Sequence, residues 1–123
     1  MFRSKKILVV EDEEGLLALL RQALEERGYE IATAANAIDA GIEISCNLPA
    51  LILMDIKMPG IDGFQACEAI KKNPKTKNLP IIVISALSDE TDIKKAKKIG
   101  IADYFVKPID IEKLIERLKQ IIS

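Results

Sequence analysis

The chain has 123 residues, of which 49% are hydrophobic and 30% charged, and its formal net charge is −1. This length predicts one domain that buries roughly two thirds of its unfolded surface, and the charge argues against direct nucleic-acid binding. Histidine is absent, which excludes Ser-His catalysis, and the cysteines form no close-spaced pair. Zinc sites and a CxxC redox motif are therefore not supported, and Cys46 and Cys67 are predicted to be buried free thiols.

The amino-terminal segment carries no recognisable targeting signal. Residues 1–6 lead directly into a short apolar strand. No apolar run approaches the ~18 residues of a membrane span. We therefore expect a cytoplasmic protein without membrane insertion.

The first predicted unit is a strand followed by a helix. Residues 7–10 are all apolar, and the four acidic residues 11–14 follow them directly. Apolar residues then recur at helical spacing, and Gly28 is predicted to stand directly after the helix as its C′ residue. These apolar positions are Leu16, Leu17, Leu20, Ala23 and Leu24.

The second unit is less apolar than the first. Residues 30–35 alternate only partly and predict a weaker strand. Asn36 is suited to cap a helix that continues to about Cys46. The apolar positions of this helix include Ile38, Ile42 and Ile44.

The third unit contains the most informative stretch. Residues 51–54 are apolar and lead straight into Asp55, and residues 56–60 follow as a turn. A strand without a polar face is predicted to lie inside a sheet that is covered on both sides. Asp62 is positioned to cap a helix to about Lys72, whose predicted buried residues include Phe64, Cys67 and Ile70.

The last two units complete the alternation. Residues 73–78 form a polar loop, and the apolar residues 81–84 end at Ser85. A lysine-rich helix runs from Asp89 to about Ile99, and residues 103–107 form a short strand that ends at Lys107. The helix from Asp110 has the clearest amphipathic pattern, with Ile111, Leu114, Ile115, Leu118, Ile121 and Ile122 on its apolar side.

Five strands alternating with five helices predict an α/β fold with a parallel sheet and right-handed crossovers. The first, third and fourth strands are wholly apolar and should be interior, so the second and fifth should be edges. The order 2-1-3-4-5 satisfies this requirement. We therefore predict a flavodoxin-like, doubly wound (βα)5 three-layer sandwich over residues 1–123, with its switch point between strands one and three.

This order brings the carboxylates of Glu11 and Asp12 to Asp55. An oxygen-only ligand set favours Mg²⁺, with Mn²⁺ as an alternative. The formal negative charge of the three carboxylates equals the positive charge of Mg²⁺ and Lys107 together. The site could therefore accept a dianionic phosphoryl group without severe repulsion. Asp55 is the natural nucleophile and Ser85 a hydroxyl donor.

Several motifs together resemble the receiver domain of two-component response regulators, including single-domain chemotaxis regulators. The resemblance covers essentially the whole chain. The motifs are Glu11-Asp12, Asp55 with Met58-Pro59-Gly60 and Asp62-Gly63, Ser85-Ala86, and Lys107-Pro108.

The resemblance implies specific roles for these residues. Asp55 would accept phosphate, and Mg²⁺ would be held by Asp12, Asp55, the backbone carbonyl of Lys57 and, through water, Glu11. Ser85 and Lys107 would contact the phosphoryl group, with a cis bond at Lys107-Pro108. Ser85 and Tyr104 would form the switch; serine replaces the commoner threonine, and Lys57 occupies a variable position that tunes phosphate lifetime.

The implied function is a phosphorylation-dependent signalling switch, not an enzyme acting on external substrates. A sensor histidine kinase or histidine phosphotransfer protein would supply the phosphoryl group, and an unknown protein target would bind the fourth helix, fifth strand and fifth helix. Beside this surface, Lys94, Lys95, Lys97 and Lys98 form a solvated helix face or a patch for an acidic partner. We expect a monomer or weak dimer.

Three other interpretations compete with a single-domain signalling switch. A Mg²⁺-dependent phosphohydrolase would need a substrate-binding cap, which the sequence does not suggest. An FMN carrier is disfavoured because the loop after the first strand carries four acidic residues. A receiver domain excised from a larger regulator or hybrid kinase remains open, although the start at Met1 favours a single-domain regulator.

Overall fold

The computed structural model describes residues 5–58 and 60–122, with Ile61 described by its backbone alone. Five parallel strands alternate with five helices along these residues. The strands are β1 Lys6–Val10, β2 Glu30–Ala34, β3 Leu51–Asp55, β4 Ile81–Ser85 and β5 Asp103–Val106. The helices are α1 Glu14–Glu25, α2 Ala37–Cys46, α3 Gly63–Lys72, α4 Glu90–Ile99 and α5 Ile111–Ile122. A small antiparallel pair, Lys57–Met58 with Ile61–Asp62, follows β3, and Pro59 of the predicted turn lies outside the described residues.

The sheet has the predicted order β2-β1-β3-β4-β5. Every residue of β1, β3 and β4 is buried, whereas the edge strands β2 and β5 include exposed or half-buried residues. Helices α1 and α5 cover one face of the sheet, and α2, α3 and α4 cover the other. Apart from Lys6, Asp55 and Ser85 at their ends, the interior strands are apolar because both of their faces lie under helices.

Polar side chains begin three of the helices as predicted. The Asn36 side chain accepts a hydrogen bond from the N–H of Asp39 at 2.8 Å. The Asp62 carboxylate accepts from the N–H of Phe64 at 3.1 Å. The Asp110 carboxylate accepts from the N–H three residues further on at 3.2 Å. Each bond satisfies a backbone donor that the first helical turn leaves unpaired.

Three predicted boundaries were wrong by one or two residues. Strand β2 ends at Ala34, because its partner β1 ends opposite it at Val10. Strand β5 ends at Val106, so Lys107 stands just beyond it. Gly28 has a φ of 90°, but it lies two residues after the C-cap of α1, Glu26, and so completes the following turn.

Helix α2 is packed on one side only. Ala40 is buried on that side, whereas Ile38 is 76% and Ile42 is 56% exposed. The prediction that both cysteines are buried is wrong for Cys46, which is exposed at the end of this helix.

Within the described residues, no helix is both long and apolar enough to cross a membrane.

The two thiols should therefore react very differently. Cys67 is buried, and burial raises the pKa of its thiol to about 12, although Lys71 opposes the shift. Because the thiolate is the reactive form, Cys67 should be inert near neutral pH. We expect iodoacetamide to label one thiol in the folded protein and both in denaturant, as counted by intact mass. Folded Cys46→Ser should remain unlabelled, and rapid labelling of that variant would contradict this assignment.

Gly63 allows the start of α3 to approach the chain that follows β3. A Cβ added at Gly63 would meet Ile56, at 2.6 Å from its Cβ and 2.7 Å from its backbone oxygen. We expect Gly63→Ala to destabilise the fold by about 2–3 kcal/mol, because a backbone neighbour cannot move aside cheaply. Urea unfolding measures the change.

Gly41→Ala is the matched control for this substitution. Gly41 also lies in a helix, but a Cβ added there meets no atom of the described residues within 4 Å. It should stabilise the protein by about 0.5–1 kcal/mol, because alanine favours the helical backbone. Equal destabilisation by the two substitutions would show that the close approach at Gly63 is not the cause.

Candidate functional site

The sheet brings three predicted acidic residues together at its carboxyl edge. Strands β1 and β3 are neighbours, with Val10 paired to Met54, so Glu11, Asp12 and Asp55 follow at adjacent strand ends. Each offers one carboxylate oxygen, and these oxygens lie within 4.8 Å of one another. The predicted convergence of the acids is therefore confirmed.

Glu11 is the fully buried member of this cluster. One carboxylate oxygen, Oε2, accepts hydrogen bonds from the N–H groups of Asp12 and Glu13, both at 3.1 Å. The other, Oε1, has the Lys107 ammonium at 2.9 Å as a charge partner but lacks a well-directed hydrogen bond among the described residues. Burial raises the pKa of Glu11, and the Asp55 charge adds to this, while bonds from Lys107 and the Glu13 backbone oppose it. The expected repulsion among carboxylates is present, but desolvation is the larger cause.

Asp55 is 2% exposed and is held at both oxygens. Oδ1 accepts a hydrogen bond from the N–H of Lys57, and Oδ2 accepts one from the Lys107 ammonium, each at 2.9 Å. Burial alone would lower the pKa of Lys107, but its bonds and charge interactions with Asp55 and Glu11 outweigh this effect and raise it. Lys107 therefore supplies a permanent positive charge to two buried carboxylates.

Glu13 also lies close to this lysine. Its Oε2 is 3.9 Å from the Lys107 ammonium, although the side chain is largely exposed. An acidic residue at the start of a helix is also favoured by the helix dipole. The two roles are compatible, because Glu13 is also the N-cap residue of α1.

Ser85 is buried at the end of β4, one residue beyond the Ile84 that pairs with Asp55. Its hydroxyl oxygen accepts a hydrogen bond from the N–H of Leu87 at 3.1 Å. The Leu87 carbonyl in turn accepts a bond of 2.7 Å from the Tyr104 hydroxyl. Sequence analysis missed Leu87, because its role rests on backbone groups that no side-chain pattern reveals.

Tyr104 already lies half-buried in this structure and packs against the core cluster between the sheet and α2–α4. Phosphorylation therefore does not need to rotate Tyr104 inward to bring it against the core. The peptide bond between Lys107 and Pro108 is cis, as the resemblance implied.

The donor set fits a hard divalent cation. Its members are carboxylate oxygens, and the buried Glu11 Oε1 lacks a well-directed donor among the described residues. Such oxygens are the preferred ligands of Mg²⁺. Lys57 contributes its N–H to Asp55, whereas the role of its carbonyl stays a prediction.

Comparison with protein-family models identifies the family of this chain. Residues 7–119 match the model of the response regulator receiver domain. The chain belongs to this family. Receiver domains are signalling switches of two-component systems, not conventional enzymes, and the predicted five-stranded parallel fold is the receiver fold.

Individual relatives support the same relationship. The receiver domain is 33% identical to the protein PilH of Pseudomonas aeruginosa over 118 residues, covering 96% of this chain and 98% of that protein. It is 38% identical to the phosphate regulon transcriptional regulatory protein PhoB of Rhizobium meliloti over 117 residues, covering 95% of this chain but only 52% of PhoB. The chemotaxis protein CheY4 of Vibrio cholerae matches with a TM-score of 0.89 at 25% identity, covering 98% of this chain and 100% of that one. The chain thus spans nearly all of PilH and about half of PhoB.

Proposed function

We propose that this receiver domain accepts a phosphoryl group on Asp55 from the phosphohistidine of a sensor histidine kinase or phosphotransfer protein. One observation carries the proposal: Asp55 is buried beside Glu11 and Asp12 and is bonded to Lys107. A nucleophile, a cation site and a fixed positive charge thus lie together at the carboxyl edge of the sheet. These are the parts that phosphoryl transfer needs.

The chemistry follows from these positions. A carboxylate oxygen of Asp55 forms a bond to phosphorus as the bond to the donor imidazole nitrogen breaks, and the product is an acyl phosphate. The released imidazole keeps the bonding electron pair. Lys107 lies 2.9 Å from Asp55 Oδ2, where it can neutralise the phosphoryl oxygens. The hydroxyl of Ser85 provides a further donor at the adjacent strand end.

Asp12, Asp55, the backbone carbonyl of Lys57 and, through water, Glu11 would hold Mg²⁺, with Mn²⁺ as an alternative. When bound, such an ion offsets the negative charge of the carboxylates and the phosphoryl group. Without it, Lys107 is the one cation that the described residues place beside Glu11, Asp12 and Asp55.

A labelling experiment tests this function. Incubation with acetyl phosphate and Mg²⁺ should add one phosphoryl group per chain, detected by intact mass, and EDTA should prevent it. No labelling under these conditions would contradict the proposal. Sustained hydrolysis of small phosphoesters would instead support a phosphohydrolase.

We further propose that α4, β5 and α5 form the output surface for a protein target. Phosphorylation replaces one negative charge on Asp55 by about two, which favours an additional donor at the site. Ser85 can supply it by turning its hydroxyl toward the phosphoryl oxygens. Because Leu87 bonds to both Ser85 and Tyr104, this movement would reach Tyr104 on β5.

Ser85→Ala should uncouple the switch without preventing phosphorylation. The variant keeps Asp55 and Lys107 but lacks the hydroxyl that both the Leu87 N–H and a phosphoryl group would use. We expect normal labelling, with reduced amide shift changes around Tyr104 in NMR spectra after phosphorylation. Ser88→Ala, an exposed serine in the same loop, is the control and should behave as wild type. This route would be ruled out if phosphorylation changed the amide shifts around Tyr104 as much in Ser85→Ala as in wild type. Shift changes confined to α2 and α3 would also rule it out.

A further inference from the structure

A basic groove lies between α3 and α4, outside the site described above. It has a volume of about 410 Å³ and is lined by Glu68, Lys71, Lys72, Lys95, Lys98 and Ile99. Four of these six residues are lysines, and a single glutamate opposes them. We call this feature the α3–α4 groove.

The groove belongs to an unusually positive part of the chain. Residues 71–98 contain eight lysines and three acidic residues, whereas the whole chain has a net charge of −1. The three acids, Asp89, Glu90 and Asp92, lie at or just before the first turn of α4. Of the lysines, Lys71 and Lys72 end α3, two more lie in the loop after it, and the other four lie in the middle and last turn of α4, so positive charge is concentrated away from the amino-terminal turn of α4.

Two of the groove lysines are positioned by specific contacts. The Lys71 ammonium donates to the backbone carbonyls of Leu79 at 2.8 Å and Lys77 at 3.3 Å. Lys95 lies over the Phe64 ring, 4.3 Å from its centroid. These contacts hold the two charges in place, so a partner would lose less side-chain entropy on binding them.

The remaining groove lysines are available for an anionic partner. Lys72 pairs with Glu68 at 3.6 Å in an exposed contact, which is a weak interaction that an incoming carboxylate can replace. Lys98 is exposed and forms no ion pair with any described residue. Ile99 is half-buried and adds an apolar wall to the groove.

The four lysines of α4 are spread around the helix. At about 100° per residue, Lys97 lies about 160° from Ile99, whereas Lys94 lies only about 40° from Lys98. Lys95 and Lys98 are the two that line the groove. The lining is therefore formed by α3 and one side of α4, and β5 and α5 contribute no residue to it.

We propose that the α3–α4 groove binds an acidic peptide segment of a partner protein, with an apolar side chain against Ile99. Its lining residues lie at the carboxyl ends of α3 and α4, whereas Asp55 lies at the opposite edge of the sheet. The contact is therefore a second docking surface, and it does not depend on phosphorylation at Asp55.

The chemistry of the groove favours a peptide over nucleic acid or a membrane. It contains no arginine, the residue best suited to bidentate phosphate contacts. It also lacks an exposed aromatic platform, since Lys95 covers the nearby Phe64 ring, and single-stranded nucleic acid needs such platforms. One half-buried isoleucine offers too little apolar surface for insertion into lipid.

Charge reversal of exposed lysines provides the test. A fluorescent synthetic peptide of alternating glutamate and leucine is titrated with wild-type protein, with Lys95→Glu/Lys98→Glu and with Lys97→Glu/Lys119→Glu. Both double variants change two exposed helical lysines by the same charge, and circular dichroism confirms that each is folded. Lys97 lies on the side of α4 away from Ile99, and Lys119 lies on α5, on the other face of the sheet. We expect the groove variant to bind about tenfold more weakly, since it replaces two attractive charges by two repulsive ones. The control should change by less than about threefold.

Peptide-induced amide shifts in NMR spectra should map to Lys71, Lys72, Lys95, Lys98 and Ile99. Equal weakening by the two variants would mean nonspecific attraction and overturn the groove assignment, as would absence of peptide binding. Tighter binding of a single-stranded DNA oligonucleotide or of phosphatidylserine vesicles than of the peptide would overturn the choice of partner.

Discussion

Asp55→Ala is expected to abolish phosphorylation of this receiver domain completely. The substitution removes the carboxylate that the β3 strand end places beside Lys107, and no other described carboxylate has the same combination of partners. Glu11 also has Lys107 as a charge partner, but its carboxylate has no exposed surface and its Oε2 is already bonded to two backbone N–H groups. Intact mass after incubation with acetyl phosphate and Mg²⁺ should therefore show no added phosphoryl group.

The fold should survive this substitution. Lys107 keeps Glu11 as a partner at 2.9 Å, so the variant does not leave a buried ammonium without a counter-charge. Asp89→Ala is the control, because Asp89 is an exposed carboxylate without a capping hydrogen bond at the start of α4. That control should label like wild type. Robust labelling of Asp55→Ala at another carboxylate would mean that the phosphoacceptor has been misassigned.

Asp12→Ala is expected to weaken Mg²⁺ binding by about 100-fold or more, by analogy with the loss of groups that support metal ligands. Asp12 is the exposed member of the carboxylate cluster, and its side chain makes no hydrogen bond to a described residue. Its carboxylate is therefore free to serve a cation. For the same reason its loss should leave the thermal stability of the metal-free protein almost unchanged. Isothermal titration calorimetry measures the affinity.

Glu13→Ala is the matched control for Asp12→Ala. Both residues are exposed acids after β1, but Glu13 approaches the Lys107 ammonium, at 3.9 Å, and is not part of the three-carboxylate cluster. We expect its Mg²⁺ affinity to stay within about threefold of wild type, since an exposed charge pair contributes little. Equal losses in the two variants would show that the cation site has been misplaced.

The sequence alone was sufficient to predict the topology. Residues 7–10, 51–54 and 81–84 lack polar positions, and only strands covered on both faces can be apolar in this way. With those three strands inside, the remaining two take the edges. Of the orders that this allows, 2-1-3-4-5 is the flavodoxin-like doubly wound order, which is the one predicted. The same order places Glu11, Asp12 and Asp55 at neighbouring strand ends, because parallel strands all finish at one edge of the sheet.

Helix starts were also predictable from local sequence. Asn36, Asp62 and Asp110 cap their helices through bonds to backbone groups two or three residues away. Such interactions depend on near neighbours in the chain, so a short stretch of sequence contains all the groups involved.

Contacts between distant segments were decided only by the tertiary structure. Examples are the pairing of the Lys107 ammonium with both Glu11 and Asp55, the link from Ser85 through Leu87 to Tyr104, and the approach of Gly63 to Ile56. The exposure of Cys46 and the α3–α4 groove belong to the same class. Periodicity states which face of an element is apolar, but the separation of packed helices and the rotamers of long side chains determine which atoms meet. These quantities depend on the whole packed fold, and local sequence patterns do not contain them.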